Sequence, residues 1–380
     1  MRHVLVSGDA FFLERHRLLL EALRAYARVT TLSAPARSGR DVLPLARFVA
    51  RTLSSGHLHA FDLVRPRRLL RAYRKSAESF TSRSRALERN VLALRTRPDA
   101  VLHIFGLSTP FPTRRGIPYA HLIDYTYALA LRNNPAEIPI RDEREVARWM
   151  TLERAAYAGA VRLYAMSRVV RDSLIVDYGV SPERIRVVGA GSNLDGDANL
   201  VEKRFGSGML LFNASDFERK GGDLVLDAFG RMRAAHPTLR LVTVGRSLPR
   251  GIAIPAGVQD RGAVPRSEMT SLFANADLVL APARCDPFPG FVVEASAFGT
   301  PSIVSDRDGM PEIVRDGETG IVLHRPTAES IASAASALLL DGARLARYSD
   351  GCRRVVAERL NWKAVASEFA PFIASLESRS

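Results

Sequence analysis

Asp286-Pro-Phe-Pro-Gly-Phe-Val-Val-Glu294 sets two carboxylates on either side of a turn. The Pro and Gly residues close an apolar run, and the spacing predicts a helix that starts inside the motif, over Gly290 to Phe298. The first amides of a helix lack intrahelical acceptors and carry partial positive charge, which suits a diphosphate. Glu294, about one turn in, is placed to accept hydrogen bonds from ribose hydroxyls, and Asp286 to meet a sugar ring. Pro289 has no N–H, so any backbone donors to a phosphate must be Gly290 and Phe291.

A second constellation, Asp216-Phe-Glu-Arg-Lys-Gly-Gly-Asp223, falls between a strand-like run and a helix-like run. A Lys neutralises phosphate as a point charge and an Arg grips two oxygens at once, which makes Lys220 and Arg219 phosphate candidates. In the first half, Asp124 follows a strand in Ile123-Asp-Tyr-Thr-Tyr127, where it either touches substrate or caps the next segment. His103 and His121 lie inside strands and are expected to be core residues.

From Pro282 the chain continues through Gly299-Thr-Pro301, Gly309-Met-Pro-Glu312 and Asp316-Gly-Glu-Thr-Gly320. This ordered run closely resembles the retaining glycosyltransferases of family 4, whose Glu, seven residues, Glu signature is followed by the same three segments. Glu153, Val180-Ser-Pro-Glu-Arg-Ile-Arg-Val-Val188 and Gly189-Ala-Gly-Ser-Asn193 are similar to the stretch between that family's domains. Detailed similarity covers about 150 to 370.

The resemblance implies an α/β protein of GT-B fold, two doubly wound Rossmann-like domains facing a central cleft. It implies retaining transfer of a sugar from a nucleoside diphosphate sugar to an acceptor hydroxyl, in glycolipid, polysaccharide or glycosylated-metabolite synthesis. Asp286, Lys220 and Asp124 would then be catalytic. Arg219, Lys220, Gly290, Phe291, Glu294 and Gly8, the last in a loop where the family usually has Gly-Gly, would bind the donor. No cofactor beyond the donor and no metal is implied. Three departures stand out: Asp286 replaces the usual Glu, Ser215 stands where the family's phosphate Arg stands, and Pro289 replaces a Gly. They open a rival reading, a nucleotide-sugar-binding protein of this shape with weakened catalysis. An epimerase of the same fold is a further alternative, which the acidic signature disfavours.

These residues need a scaffold, and the hydrophobic pattern supplies one. In the first half, strands are predicted at His3 to Val6, Arg28 to Leu32, Ala100 to Ile104, Tyr119 to Ile123, Ala160 to Ala165 and Ile185 to Val188. Helices intervene, among them Phe11 to Ala27, Ile140 to Tyr157 and Ser167 to Tyr178. A second alternation of strands and helices runs from Met209 to about Leu340, beyond a polar linker at Gly189 to Ser207. Alternation of this kind predicts mostly parallel sheets covered on both faces. The chain of 380 residues is divided into two domains, 1–190 and 191–380, and the resemblance implies that the first binds the acceptor and the second the nucleotide sugar. Leu360 to Leu376 reads as one amphipathic helix, anchored by Trp362 and a candidate to pack back on the first domain.

The chain has 2 Cys, which argues against a disulfide framework, and no apolar run near the roughly 18 residues that cross a bilayer. The apolar run at the amino end meets Gly8 too early for an export signal. A cytoplasmic protein is expected. Its net charge of +14 is local: Arg37 to Arg97 holds 15 Lys or Arg against 4 Asp or Glu, an excess of 11. That stretch suggests attraction to an anionic membrane surface, at the inner face, or to a phosphorylated acceptor such as a lipid-linked sugar. Few aromatics interleave with it, so nucleic acid is not an expected partner.

Overall fold

The computed structural model describes residues 1–34, 42–54, 66–111, 116–138, 142–194 and 202–376. The chain divides into two compact units, Met1–Val188 with Ala366–Ser380, and Gly189–Val365.

In the first unit, β1 (His3–Asp9), β2 (Arg28–Ala34), β3 (Ala100–Ile104), β4 (Tyr119–Ile123), β5 (Arg162–Ala165) and β6 (Ile185–Val187) form one sheet. The strands lie in the order β2-β1-β3-β4-β5-β6, every pair parallel. Parallel strands need helices on both faces, which is why β3 and β4 are buried along their whole length. The last segment returns to this unit: the Phe369 ring lies 4.0 Å from that of Tyr164, and Arg186 Nε donates to Glu368 at 2.6 Å.

The second unit repeats the plan with β7 (Met209–Asn213), β8 (Arg240–Val244), β9 (Val258–Asp260), β10 (Leu278–Ala281), β11 (Ser302–Ser305) and β12 (Gly320–Leu323). The order is β12-β11-β10-β7-β8-β9, again all parallel. Side chains alternate between two cores. Leu210 and Phe212 join Phe229, Leu241 and Ile331 on one face, while Met209 and Leu211 join Val242, Phe273 and Phe298 on the other.

Three predicted helices differ in detail. The segment over Phe11 to Ala27 is two helices, Ala10–Arg15 and Arg17–Leu23, because His16 leaves helical geometry at ψ 27° and its Nδ1 donates to the Phe12 carbonyl at 2.9 Å. Of Ile140 to Tyr157, the start lies outside the described residues. The helix there is Glu143–Gly159, capped by Asp142, whose carboxylate accepts the Glu145 N–H at 3.2 Å. The tail is two short helices, Trp362–Ser367 and Ala370–Ala374, since Pro371 lacks an N–H and fits only a first turn. A long helix at Gly342–Glu358, absent from the sequence reading, begins at an Asp341 cap.

His103 and His121 sit on adjacent strands, 0% and 4% exposed, with ring centroids 4.7 Å apart. His103 Nδ1 pairs with Ser7 Oγ at 2.8 Å. Burial pushes His103 well below its ordinary value and His121 down to about 3. A histidine neutral when folded but free to protonate when unfolded makes stability fall as pH drops below about 6.5. Glu153 acts in the opposite sense. Its burial raises it to about 7, so its contribution weakens the fold as pH rises toward that value. We expect His121→Phe to reduce the loss of unfolding free energy between pH 7 and pH 5 by about 2 kcal/mol, read by urea titration at both values. Glu153 is common to both proteins and cancels; an undiminished difference would show that His121 is not held neutral in the fold.

Candidate functional site

The order of the second sheet reverses between β7 and β10, so the loops after these two neighbouring strands run apart and leave a crevice at their carboxyl ends. Both sequence constellations open there. The loop after β7 brings Lys220, and the loop after β10 brings Asp286. Lys220 Nζ donates to Asp286 Oδ2 at 3.0 Å, with both side chains largely buried. Asn213, Lys220, Asp286, Pro289 and Phe291 line a small pocket at this point.

Arg219 is close but differently engaged. Its Nε donates to Asp216 at 2.6 Å, and its Nη1 donates to the Cys285 carbonyl at 2.6 Å while lying 3.6 Å from Asp286. A guanidinium held by two partners braces one loop against the other. Arg284 adds a second brace, gripping Asp223 through both terminal nitrogens at 2.7 and 2.6 Å.

Beyond Asp286 the Gly290–Ala297 helix begins directly after Pro289. Val292 and Val293 donate to the Pro289 carbonyl. The Gly290 and Phe291 N–H groups have no acceptor among the described residues, so two amides stand open at the positive end of the helix. The Phe291 ring itself is a core element, 5.0 Å from that of Phe273. Glu294 is half-buried one turn further along.

Two of the remaining motifs are architectural. Thr300 of Gly299-Thr-Pro301 donates to the Phe273 carbonyl at 2.6 Å and accepts from Lys203 Nζ at 2.8 Å, which closes the end of the Arg266–Asn275 helix. In Asp316-Gly-Glu-Thr-Gly320, Asp316 accepts the Val322 N–H and Thr319 accepts the Arg315 N–H. A Cβ at Gly320 would lie 2.1 Å from the Ser302 carbonyl oxygen, so only glycine lets β12 approach β11.

Asp124 and Gly8 belong to the first unit, each at the carboxyl end of its strand. Burial pushes Asp124 up to about 6, opposed by backbone N–H groups and by Arg15. Thr126, not Asp124, caps the Tyr127–Asn133 helix, accepting the Leu129 N–H at 3.2 Å. A Cβ at Gly8 would lie 2.6 Å from the Ile104 carbonyl oxygen, so strand packing alone demands glycine there. The sequence reading missed Arg83, 8% exposed, which reaches from the Ala77–Leu92 helix to Asp9 beside this turn. Nothing in the spacing of Asp9 and Arg83 announces their meeting. Glu153 accepts the Tyr127 N–H at 3.1 Å and the Tyr178 hydroxyl, which ties its helix to the start of the Tyr127–Asn133 helix and to the turn at Tyr178.

Residues 201–355 match the family model of Glycosyl transferases group 1, and two parallel-sheet units of this topology are the GT-B fold. Residues 201–355 are thereby similar to the group 1 glycosyltransferases, and the solved structures below share the fold. D-inositol 3-phosphate glycosyltransferase 1 of Catenulispora acidiphila is 29% identical over 262 residues, 62% of this chain and 62% of the relative, so less than two thirds of that relative's length is spanned. Among solved structures, sucrose-phosphate synthase of Thermosynechococcus elongatus superposes with a TM-score of 0.68 at 16% identity, over 99% of each chain. HepE of Anabaena, solved with UDP and glucose, gives 0.66 at 14% identity, over 99% of this chain and 100% of its own.

If Arg219 is a brace, Arg219→Ala removes its hydrogen bonds to the Cys285 carbonyl and Asp216 and lowers unfolding free energy by about 1–3 kcal/mol. Urea unfolding reads this, and a midpoint equal to that of the wild type would rule out the bracing role.

Proposed function

We propose that this protein is a retaining glycosyltransferase that moves a sugar from a nucleoside diphosphate sugar to an acceptor hydroxyl. The observation that carries the reading is the Lys220 ammonium, 3.0 Å from Asp286 and held in the crevice beside the Gly290–Ala297 helix start. Positive charge and open amides, positioned before the reaction begins, match the negative charge that develops on a departing diphosphate. As the bond from the sugar to the diphosphate oxygen breaks, Lys220 and the Gly290 and Phe291 amides stabilise the leaving group. The acceptor oxygen bonds to the same carbon, and its proton passes to a phosphate oxygen of the donor. No protein base is required, and neither is a metal.

In this scheme Glu294 holds the ribose hydroxyls and Asp286 faces the sugar. Arg219 supports the site through the loop backbone, a smaller role than direct phosphate binding. Asp124, in the first unit, contacts the sugar or the acceptor hydroxyl; at about 6 its carboxyl remains largely ionised at neutral pH. We expect Lys220→Ala to abolish turnover with UDP-glucose, GDP-mannose and related donors while the circular dichroism spectrum is retained. Glu294→Ala should raise the donor KM. Full turnover in the Lys220 variant would overturn the mechanism, and a wild-type protein that binds UDP yet transfers nothing would favour the binding-only reading raised by Ser215, Asp286 and Pro289.

For the acceptor, the reading is a phosphorylated or lipid-linked hydroxyl compound met by the basic first unit, with the enzyme cytoplasmic and peripheral at an anionic membrane. The name of the Catenulispora relative, which refers to an inositol 3-phosphate, is compatible with an anionic acceptor. Among the described residues no helix is long and apolar enough to cross a membrane. Arg37, Arg40 and Arg65 of the basic stretch lie outside the described residues. Within them, Arg51 donates to Glu145 at 2.9 Å and Arg71 and Lys75 converge on Glu137 at 2.8 and 2.5 Å, which removes part of the excess. Arg85 and Arg89 are exposed and share one face of the Ala77–Leu92 helix, so they are the stronger candidates for an anionic surface. Reversing both to Glu should weaken co-sedimentation with phosphatidylserine vesicles by about 1 kcal/mol per residue at low salt. Binding that is absent in the wild type, or indifferent to salt, would remove the membrane from the proposal.

A further inference from the structure

Asp308 lies in the turn after β11 at φ 49°, in the left-handed region that penalises any residue with a Cβ, although Asp tolerates it better than most. It is only 9% exposed. A glycine would occupy this backbone without strain, so the side chain must contribute something that the turn itself does not need.

Its contact supplies a reason. Asp308 Oδ2 accepts the backbone N–H of Asp286 at 2.9 Å, and the next residue, Gly309, donates its N–H to the Pro287 carbonyl at 3.0 Å. On the other side, the Cys285 carbonyl accepts from Arg219 Nη1 at 2.6 Å. Three consecutive residues, 285 to 287, are therefore each held through their backbone. The middle one carries the carboxylate that meets Lys220 at 3.0 Å.

We propose that Asp308 is a positioning residue of the donor site: its carboxylate fixes the backbone of Asp286, and through it the placement of the Asp286 side chain against Lys220 and the transferred sugar. The proposal rests on the donor-site reading above. A short Asp side chain at 286 has few rotatable bonds, so its reach is set almost wholly by where its backbone is held. Misplacement by about 1 Å at a reacting centre can cost two orders of magnitude in rate.

Asp308→Gly removes the carboxylate and the strain together, while Asp308→Asn keeps an acceptor oxygen in place. Both variants and the wild type are compared by hydrogen exchange over residues 284–290 and by steady-state kinetics with UDP-glucose and GDP-mannose. In the Gly variant, exchange at the Asp286 amide should speed at least tenfold and kcat should fall at least tenfold, with a Tm within a few degrees of the wild type. The Asn variant should stay within threefold of the wild type in both readouts. An active wild type with a Gly variant of unchanged kcat overturns the positioning role alone, as does an Asn variant as impaired as Gly. A wild type inert toward every nucleotide sugar overturns the donor-site reading and this role with it.

Discussion

The crevice of the second unit exists because two parallel neighbours, β7 and β10, are followed by loops that must diverge. The ion pair between Lys220 and Asp286 spans the gap at its most buried point, beside the Arg219–Asp286 and Arg284–Asp223 contacts. Its worth is not chiefly in stability, since desolvating two charges offsets much of their attraction. It keeps an ammonium largely shielded from solvent with its orientation set by a carboxylate partner. The surrounding residues hold the two ends of this contact in register. Arg219 ties the β7 loop to the Cys285 carbonyl, and Asp308 secures the Asp286 amide from the β11 side.

This division of labour alters how the charged residues are read. Neighbouring cations in a phosphate-like loop look interchangeable in a sequence, yet Lys220 faces the carboxylate whereas Arg219 is bound to two scaffold acceptors. The difference follows from shape. A planar guanidinium can serve two acceptors in fixed directions, which suits a brace, while an ammonium on a flexible stem suits a point contact.

The first unit has the same reversal, at β1 and β3, and a largely buried ion pair, between Arg83 and Asp9, forms at the carboxyl end of β1. Close by, the His103 and His121 rings meet between strands, and His103 Nε2 and both ring nitrogens of His121 find no partner among the described residues. Burying such groups carries a penalty that hydrophobic packing of the sheet must offset.

The strands were legible because parallel strands covered on both faces must be apolar throughout; β3 and β4 coincide with the runs that the pattern predicts. The helix after Pro289 was legible for a related reason, since Pro and Gly punctuate the chain through their own backbone chemistry. Chemistry local to a few residues survives in a linear reading. What the sequence could not reveal depends on side chains far apart in the chain. The break at His16 arises where its ring packs against Phe105, the two-helix tail depends on docking as well as on Pro371, and Arg83 meets Asp9 from a helix more than 70 residues away. Above all, Asp308 reads as an unremarkable turn residue until folding places its carboxylate on the amide of Asp286. Such contacts are decided by which loops the sheet order brings together, and no spacing in the chain encodes that distance.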